Sequence, residues 1–229
     1  MSRPPAGRAY GPTLAERVDG SPGLRRRQRT GRALTAALAE LDVTGLRHVP
    51  RTGPVVLAVN HSAFLDGPLL FGLLDRPVSF LVKSEAFANP AVATVLRDAG
   101  QIPLHRGVVD PGPVRLALAI LRAGGIVGIF PEGTRGDGSV AHAYSGAAYL
   151  ALRSGAPVVP VACHGTLGMT ARRGLHRPLV RVSVGTALTV TPWPVDTPLP
   201  RRVFRAEGER VRTVLADLVA TTAPTGGPA

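Results

Sequence analysis

The chain is expected to fold as an α/β layered domain, with a central mixed, largely parallel sheet flanked by helices. Three observations predict it. Short apolar, β-branched runs such as Val55-Val56-Leu57-Ala58-Val59 read as buried strands. They alternate with segments of helical periodicity, the pattern of strands joined by crossover helices. With 45% hydrophobic residues over 229 positions, the chain can bury the core that such a fold requires.

The elements follow in order. Residues 1–23 are rich in Pro, Gly and Arg and are expected to be flexible. Residues 24–41 are patterned as a helix with Leu34, Ala37, Leu38 and Leu41 on one face, behind the basic run Arg25-Arg26-Arg27-Gln28-Arg29. Such a helix suits either an anionic lipid surface or ordinary packing on a core. Residues 24–46 thus make a helical, potentially membrane-facing segment before a main domain over residues 47–220, and residues 221–229 are expected to be a disordered tail. Residues 43–54 read as a short strand and turn leading into the main domain, where 55–59 read as a strand and 68–74 as a helix opened by Pro68. A strand over 78–82, a helix over 90–99 and a short strand over 100–106 come next. Residues 111–123 form a helix with Val114, Leu118 and Leu121 on its apolar face, closed by Gly124-Gly125. Strands at 126–130, 157–162 and 179–184 and helices at 144–153 and 201–220 complete the alternation, with an extended Pro-rich link over 192–200.

Polar clusters follow three of the strands: His61 with Asp66, Arg106, and Glu132 with Arg135. In open α/β sheets, ligands gather beyond the carboxyl ends of strands. A continuous helix would place residues five apart about 140° from each other, so His61 and Asp66 can meet only in a turn. There a carboxylate on one ring nitrogen fixes the tautomer, and the neutral imidazole can take a proton from an attacking hydroxyl near neutral pH. Alone, this spacing reads by default as a capping Asp beside an unrelated surface His. The Gly-rich loop at 131–138 likewise reads either as an anion cradle with a forked arginine or as a solvated turn.

The net charge of +12, with Lys83 the only lysine among 27 Lys and Arg residues, favours an anionic partner such as phosphate or anionic lipid. An aromatic content of 4% argues against a base-stacking surface, and nucleic acid is not expected as a partner. Cys163 is the only cysteine, so no intrachain disulfide forms, and it reads as an inert buried thiol. No signal peptide is expected, and Arg122 interrupts the most apolar stretch, residues 116–130, so any membrane contact should be peripheral.

Four blocks in order resemble the membrane-associated glycerolipid acyltransferases of the PlsC-like, 1-acylglycerol-3-phosphate acyltransferase type. Asn60-His61 through Asp66 resembles the family's NHxxxxD. Gly100-Gln101-Ile102-Pro103-Leu104-His105-Arg106 resembles its GxIP segment ending in arginine. Phe130-Pro131-Glu132-Gly133-Thr134-Arg135 matches FPEGTR letter for letter, and Pro157-Val158-Val159-Pro160-Val161 matches its final Val/Pro-rich strand. The resemblance implies a glycerolipid acyltransferase-like fold with His61 as general base and Asp66 orienting it. It implies an acceptor site at Arg106, Glu132, Gly133, Thr134 and Arg135, with the arginines on the phosphate. Asn60, Pro160 and Val161 would lie toward the acyl donor. The donor would be acyl-CoA or acyl-carrier protein and the acceptor a lysophospholipid, with no metal and no cofactor. The enzyme would be cytoplasmic, peripheral on the inner face of the cell membrane. Ser62 adjoins His61, but no nucleophile elbow surrounds it, which disfavours a covalent acyl-enzyme. One departure concerns the acceptor: Ala143-Tyr144-Ser145-Gly146 stands where the family places Phe-Lys-x-Gly. The alternatives are the same chemistry on another acceptor (glycerol 3-phosphate, another lysophospholipid or a glycolipid) and a non-catalytic lipid-binding role.

Overall fold

The computed structural model describes residues 13–61, 63–105, 107, 110–130, 144–169 and 177–223. In chain order they carry α1 (Leu14–Asp19), α2 (Pro22–Leu38), β1 (Glu40–Thr44), β2 (Val55–Val59), α3 (Asp66–Leu73), β3 (Val78–Lys83) and α4 (Pro90–Asp98). There follow β4 (Ile102–Leu104), α5 (Gly112–Arg122), β5 (Ile126–Ile129), α6 (Tyr144–Ser154), β6 (Val158–His164), β7 (Leu179–Val184) and α7 (Arg201–Thr222). The described strands form a seven-stranded sheet in the order β1-β7-β6-β2-β5-β3-β4. Strands β6, β2, β5, β3 and β4 run parallel to one another. β7 pairs antiparallel with β6, and β1 pairs parallel with β7. The sheet is therefore mixed and largely parallel.

β2 sits at its centre, and all five of its residues are buried. Its side chains alternate between two cores. Val55, Leu57 and Val59 meet α3 and Leu24 of α2 on one face, while Val56 and Ala58 meet α5, α6 and α7 on the other. A strand covered on both faces reads as an unbroken apolar run, as this one does. Each fully buried Val or Leu contributes about 1.5–3 kcal/mol. Pro160 lies inside β6, a position that would normally forfeit a ladder bond. Pro157, three residues earlier, and the adjacent Val161 turn their carbonyls to β2, whereas the Pro160 carbonyl accepts the Gly185 N–H at 2.9 Å. The missing donor thus faces β7, beyond the last ladder pair, Val161 with Val184.

The N-terminal expectations need correction. Residues 13–20 are ordered: Thr13 and Glu16 form a capping box on α1, and Arg17 is 3% exposed. Its guanidinium donates to the Gly100 carbonyl and to Ser79 Oγ, tying α1 to β3 and the turn before β4. The helix expected over 24–41 stops at Leu38, where Ala39 turns extended and Arg177 donates to the carbonyls of Ala36 and Ala39. Its buried stripe is Leu24, Gln28 and Thr35, and Leu34 is 60% exposed. Gln28 pays for its burial by donating to the carbonyls of Phe71, Leu74 and Arg76 at the end of α3. The boundary at residue 47 also moves, because β1 pairs with β7 from Glu40 opposite Leu179 to Thr44 opposite Ser183. Residues 40–44 belong to the sheet.

α2 and α3 approach through glycine. A Cβ on Gly72 would lie 2.7 Å from the Arg32 backbone nitrogen. Gly72→Ala is expected to push the two helices apart and lower the stability by about 1–3 kcal/mol, read as a fall in the denaturation midpoint. An unchanged midpoint would mean that the pair slides without cost. Among the described residues, no helix is long and apolar enough to cross a membrane. The 1–12 and 224–229 termini lie outside the described residues.

Candidate active site

The parallel strands set the location of the site. β2, β5 and β6 are adjacent, so Asn60 and His61, Phe130, and His164 leave the sheet at one edge. β2 ends on an apolar run, and the chain then turns sharply: the Asp66 N–H donates to the Ala63 carbonyl at 3.2 Å. Asp66 begins α3, two residues before the start expected at Pro68.

The turn brings the paired side chains together. His61 Nδ1 lies 3.0 Å from Asp66 Oδ2, and the same oxygen accepts the Ala63 N–H at 2.8 Å. An ionised carboxylate is acceptor-only, so the imidazole carries its proton on Nδ1 and presents Nε2 as the basic nitrogen. Asp66 is fully buried, whereas the His61 side chain keeps 25% of its surface. The carboxylate stands in the first turn of a helix, whose dipole favours negative charge there.

Asn60 has a structural task. Its Nδ2 donates to the Cys163 carbonyl at 2.9 Å and its Oδ1 accepts the Cys163 N–H at 2.7 Å. The amide thereby extends the β2–β6 pairing by one step beyond the strand and holds the chain where it turns into His61. The structure places Pro160 and Val161 within β6. Val161 is 1% exposed, and its carbonyl accepts the Asn60 N–H at 3.3 Å. Cys163 is buried, and burial first, then the Asp66 charge, raises its thiol well above the usual range. It is a neutral core residue beside the site. His164, at the end of β6, bonds Thr222 Oγ1 of α7 at 3.1 Å, and burial first, then Arg181, lowers its pKa.

Sequence reasoning read Phe130 as the end of a strand and the first letter of the FPEGTR block, and assigned it no role of its own. Its ring lies 4.5 Å from the His61 ring, centroid to centroid, at 33° between planes. Phe80 of β3 stacks on Phe130 in turn, at 4.9 Å and 15°. Nothing local signals this contact, since His61 and Phe130 lie on strands that only the sheet order makes neighbours. Arg106, Glu132, Gly133, Thr134 and Arg135 lie outside the described residues, as do Ser62, His142, Arg172 and Arg173. Among the described residues, no group of three or more His, Cys, Asp or Glu side chains is placed to hold a metal ion.

This geometry agrees with what the chain is similar to. The acyltransferase family model matches residues 40–164, which include β1, the His61–Asp66 turn and β6. The chain belongs to this acyltransferase family. A 1-acyl-sn-glycerol-3-phosphate acyltransferase of Bacillus subtilis is 32% identical over 126 residues, covering 55% of this chain and 63% of its own length. A chloroplastic 1-acyl-sn-glycerol-3-phosphate acyltransferase of Brassica napus is 33% identical over 131 residues, covering 55% of this chain and 37% of its own. The matched stretch thus spans less than two thirds of either relative. The crystal structure of PlsC, the 1-acyl-sn-glycerophosphate acyltransferase of Thermotoga maritima, superposes with a TM-score of 0.64 at 24% identity, covering 89% of this chain and 81% of that one. The two share a fold. Membership gives the His61–Asp66 pair a context that its spacing alone lacked.

Proposed function

We propose that this acyltransferase moves a fatty acyl group from an acyl thioester to the free hydroxyl of 1-acylglycerol 3-phosphate, giving phosphatidate for phospholipid synthesis. The observation that carries the reading is the His61–Asp66 pair, oriented in a turn at the carboxyl edge of the sheet. His61 Nε2 takes the hydroxyl proton as the oxygen attacks the thioester carbon. A tetrahedral oxyanion forms; the C–S bond then breaks as the C–O ester bond is completed. The imidazolium returns its proton to the leaving thiolate. Asp66 holds the Nδ1–H throughout and stabilises the transient cation.

In this reading the acceptor phosphate is held by Arg106 and Arg135, with Glu132, Gly133 and Thr134 completing the site, as in the family motif. Acyl-CoA or acyl-carrier protein serves as donor, with Asn60, Pro160 and Val161 on that side; the Asn60 clamp supports an indirect part for its side chain. The enzyme works on the cytoplasmic face of an anionic membrane. The exposed Arg25, Arg26 and Arg29 on α2 support that placement. A second reading keeps the chemistry and changes the acceptor to glycerol 3-phosphate, another lysophospholipid or a glycolipid. Ala143-Tyr144-Ser145-Gly146, which lacks the family lysine, favours it.

One experiment separates these readings. Purified enzyme is given oleoyl-CoA and a panel of acceptors in anionic vesicles: lysophosphatidate, glycerol 3-phosphate, lysophosphatidylglycerol and a non-phosphorylated lysolipid. Turnover is expected on lysophosphatidate, weakening as salt detaches the enzyme from the vesicles. Arg135→Ala should mainly raise the acceptor KM. Turnover confined to another acceptor moves the substrate. No turnover with oleoyl-CoA or with acyl-carrier protein as donor would remove the reaction altogether.

A further inference from the structure

His61 has a second neighbour besides Asp66, and the reaction as described so far does not use it. A hydrogen bond at Nδ1 fixes one point of the imidazole, about which the ring can still rock. Aiming Nε2 at an acceptor hydroxyl requires that this second freedom be removed. The Phe130 ring does so. It lies 4.5 Å from the imidazole with 33° between planes, nearer to a stacked than to an edge-on arrangement.

Phe130 is itself backed by a second ring. Phe80, 1% exposed in the core, stacks against it at 4.9 Å and 15°. Gly67, in the first turn of α3, faces its edge: a Cβ built there would lie 3.8 Å from Cε2 and Cζ, an ordinary van der Waals distance. Phe80 in turn occupies space that exists because residue 128 is glycine, since a Cβ on Gly128 would collide with the Phe80 ring. A line of contacts therefore runs from Gly128 of β5 through Phe80 of β3 to Phe130 and ends on the imidazole. All of these neighbours are set by the parallel pairing of β3, β5 and β2.

We propose that Phe130 is a positioning residue for the general base: its ring fixes the orientation of the His61 imidazole and stabilises the imidazolium formed during transfer. The inference rests on reading His61 as the base. The physical ground is the negative face of the aromatic quadrupole, which attracts a cation and which a saturated side chain lacks. The effect grows as the imidazole gains charge, so it acts on turnover more than on substrate binding.

The test compares Phe130→Leu, which keeps apolar volume and removes the ring, with Phe130→Tyr, which keeps the ring. The first readout is the proton NMR resonance of the His61 imidazole, assigned among the six histidines by its loss in His61→Ala. Ring current from Phe130 should shift that resonance in wild type and in Phe130→Tyr, and the shift should vanish in Phe130→Leu. The second readout is steady-state kinetics. Phe130→Leu is expected to lower kcat by about tenfold while acceptor KM stays within about twofold, and Phe130→Tyr to stay within about twofold of wild type on both. Chemical denaturation checks that each variant is folded; if Phe130→Leu is not, Phe130→Met carries the same comparison. An unmoved resonance, an unchanged kcat, a rise confined to KM, or equal losses in the Leu and Tyr variants would each overturn the proposal. A ring-current shift in a protein that transfers no acyl group would preserve the contact but overturn the positioning role, because the reaction itself would then be wrong.

Discussion

Acyl transfer by His61→Ala is expected to fall by about a thousandfold or more, with the fold and donor binding retained. The size follows from the task. Without a base, the acceptor hydroxyl must attack while still protonated, and a positioned base contributes about 10²–10⁴-fold. Loss of imidazole also removes the group that returns a proton to the leaving thiolate, so both halves of the reaction suffer. The fold should survive because the His61 side chain is partly exposed and lies in a turn, outside both apolar clusters. Asp66 keeps the Ala63 N–H as a partner. Release of free thiol from oleoyl-CoA, followed alongside thermal unfolding, reads both effects. Residual turnover within about tenfold of wild type, in a folded variant, would place the base elsewhere.

Asp66→Asn separates the charge of the carboxylate from its geometry. One oxygen of Asp66 accepts from both His61 Nδ1 and the Ala63 N–H. An asparagine oxygen in the same place can accept both, so the turn can persist. The negative charge cannot. If the amide rotates instead, its NH₂ donates to Nδ1, and the imidazole proton moves to Nε2, where it blocks the base. Either way kcat is expected to drop by about 10²–10⁴-fold with little change in KM. Asp66→Ala is a different experiment, since it strands the buried Ala63 N–H at a cost of about 1–3 kcal/mol. Comparing the two divides turnover from stability. An Asn variant that keeps more than a third of wild-type turnover would reduce Asp66 to a cap on the turn.

Much of the architecture was legible as local pattern. The apolar run 55–59 is a buried strand, Pro68 and Pro90 stand in the first turns of helices, and the Pro111–Ala123 region is a helix with Leu118 and Leu121 buried. Each is decided by residues within a few positions of one another, and by periodicities of 2 or 3.6 that survive in the linear text. The pairing of His61 with Asp66 was legible for the same reason: five residues and one turn suffice to make it.

The misreadings came from partners distant in the chain. Composition made residues 13–20 look flexible, yet Arg17 finds Ser79 and Gly100. Periodicity put Leu34 on an apolar face of α2 suited to either lipid or core, but the face that packs is where Gly31 meets Gly72 and where Gln28 reaches the end of α3. Residues 40–41 looked like the end of a helix, and the strand expected from residue 43 begins earlier, because nothing nearby shows that β7 offers them an edge.

By itself, the sequence determined that strands and helices alternate, that a histidine and a carboxylate stand five residues apart in a turn after one strand, and that four motif blocks share one family's order. Tertiary structure alone decided which strands are neighbours, and with that what stands around His61. Asn60 clamps Cys163 because β2 lies beside β6, and Phe130 reaches His61 because β5 lies on its other side. The physical reason is that strand pairing is made by backbone groups every residue carries. Its partners are chosen by how helices cover the two faces of the sheet, a property of the whole chain rather than of any stretch within it.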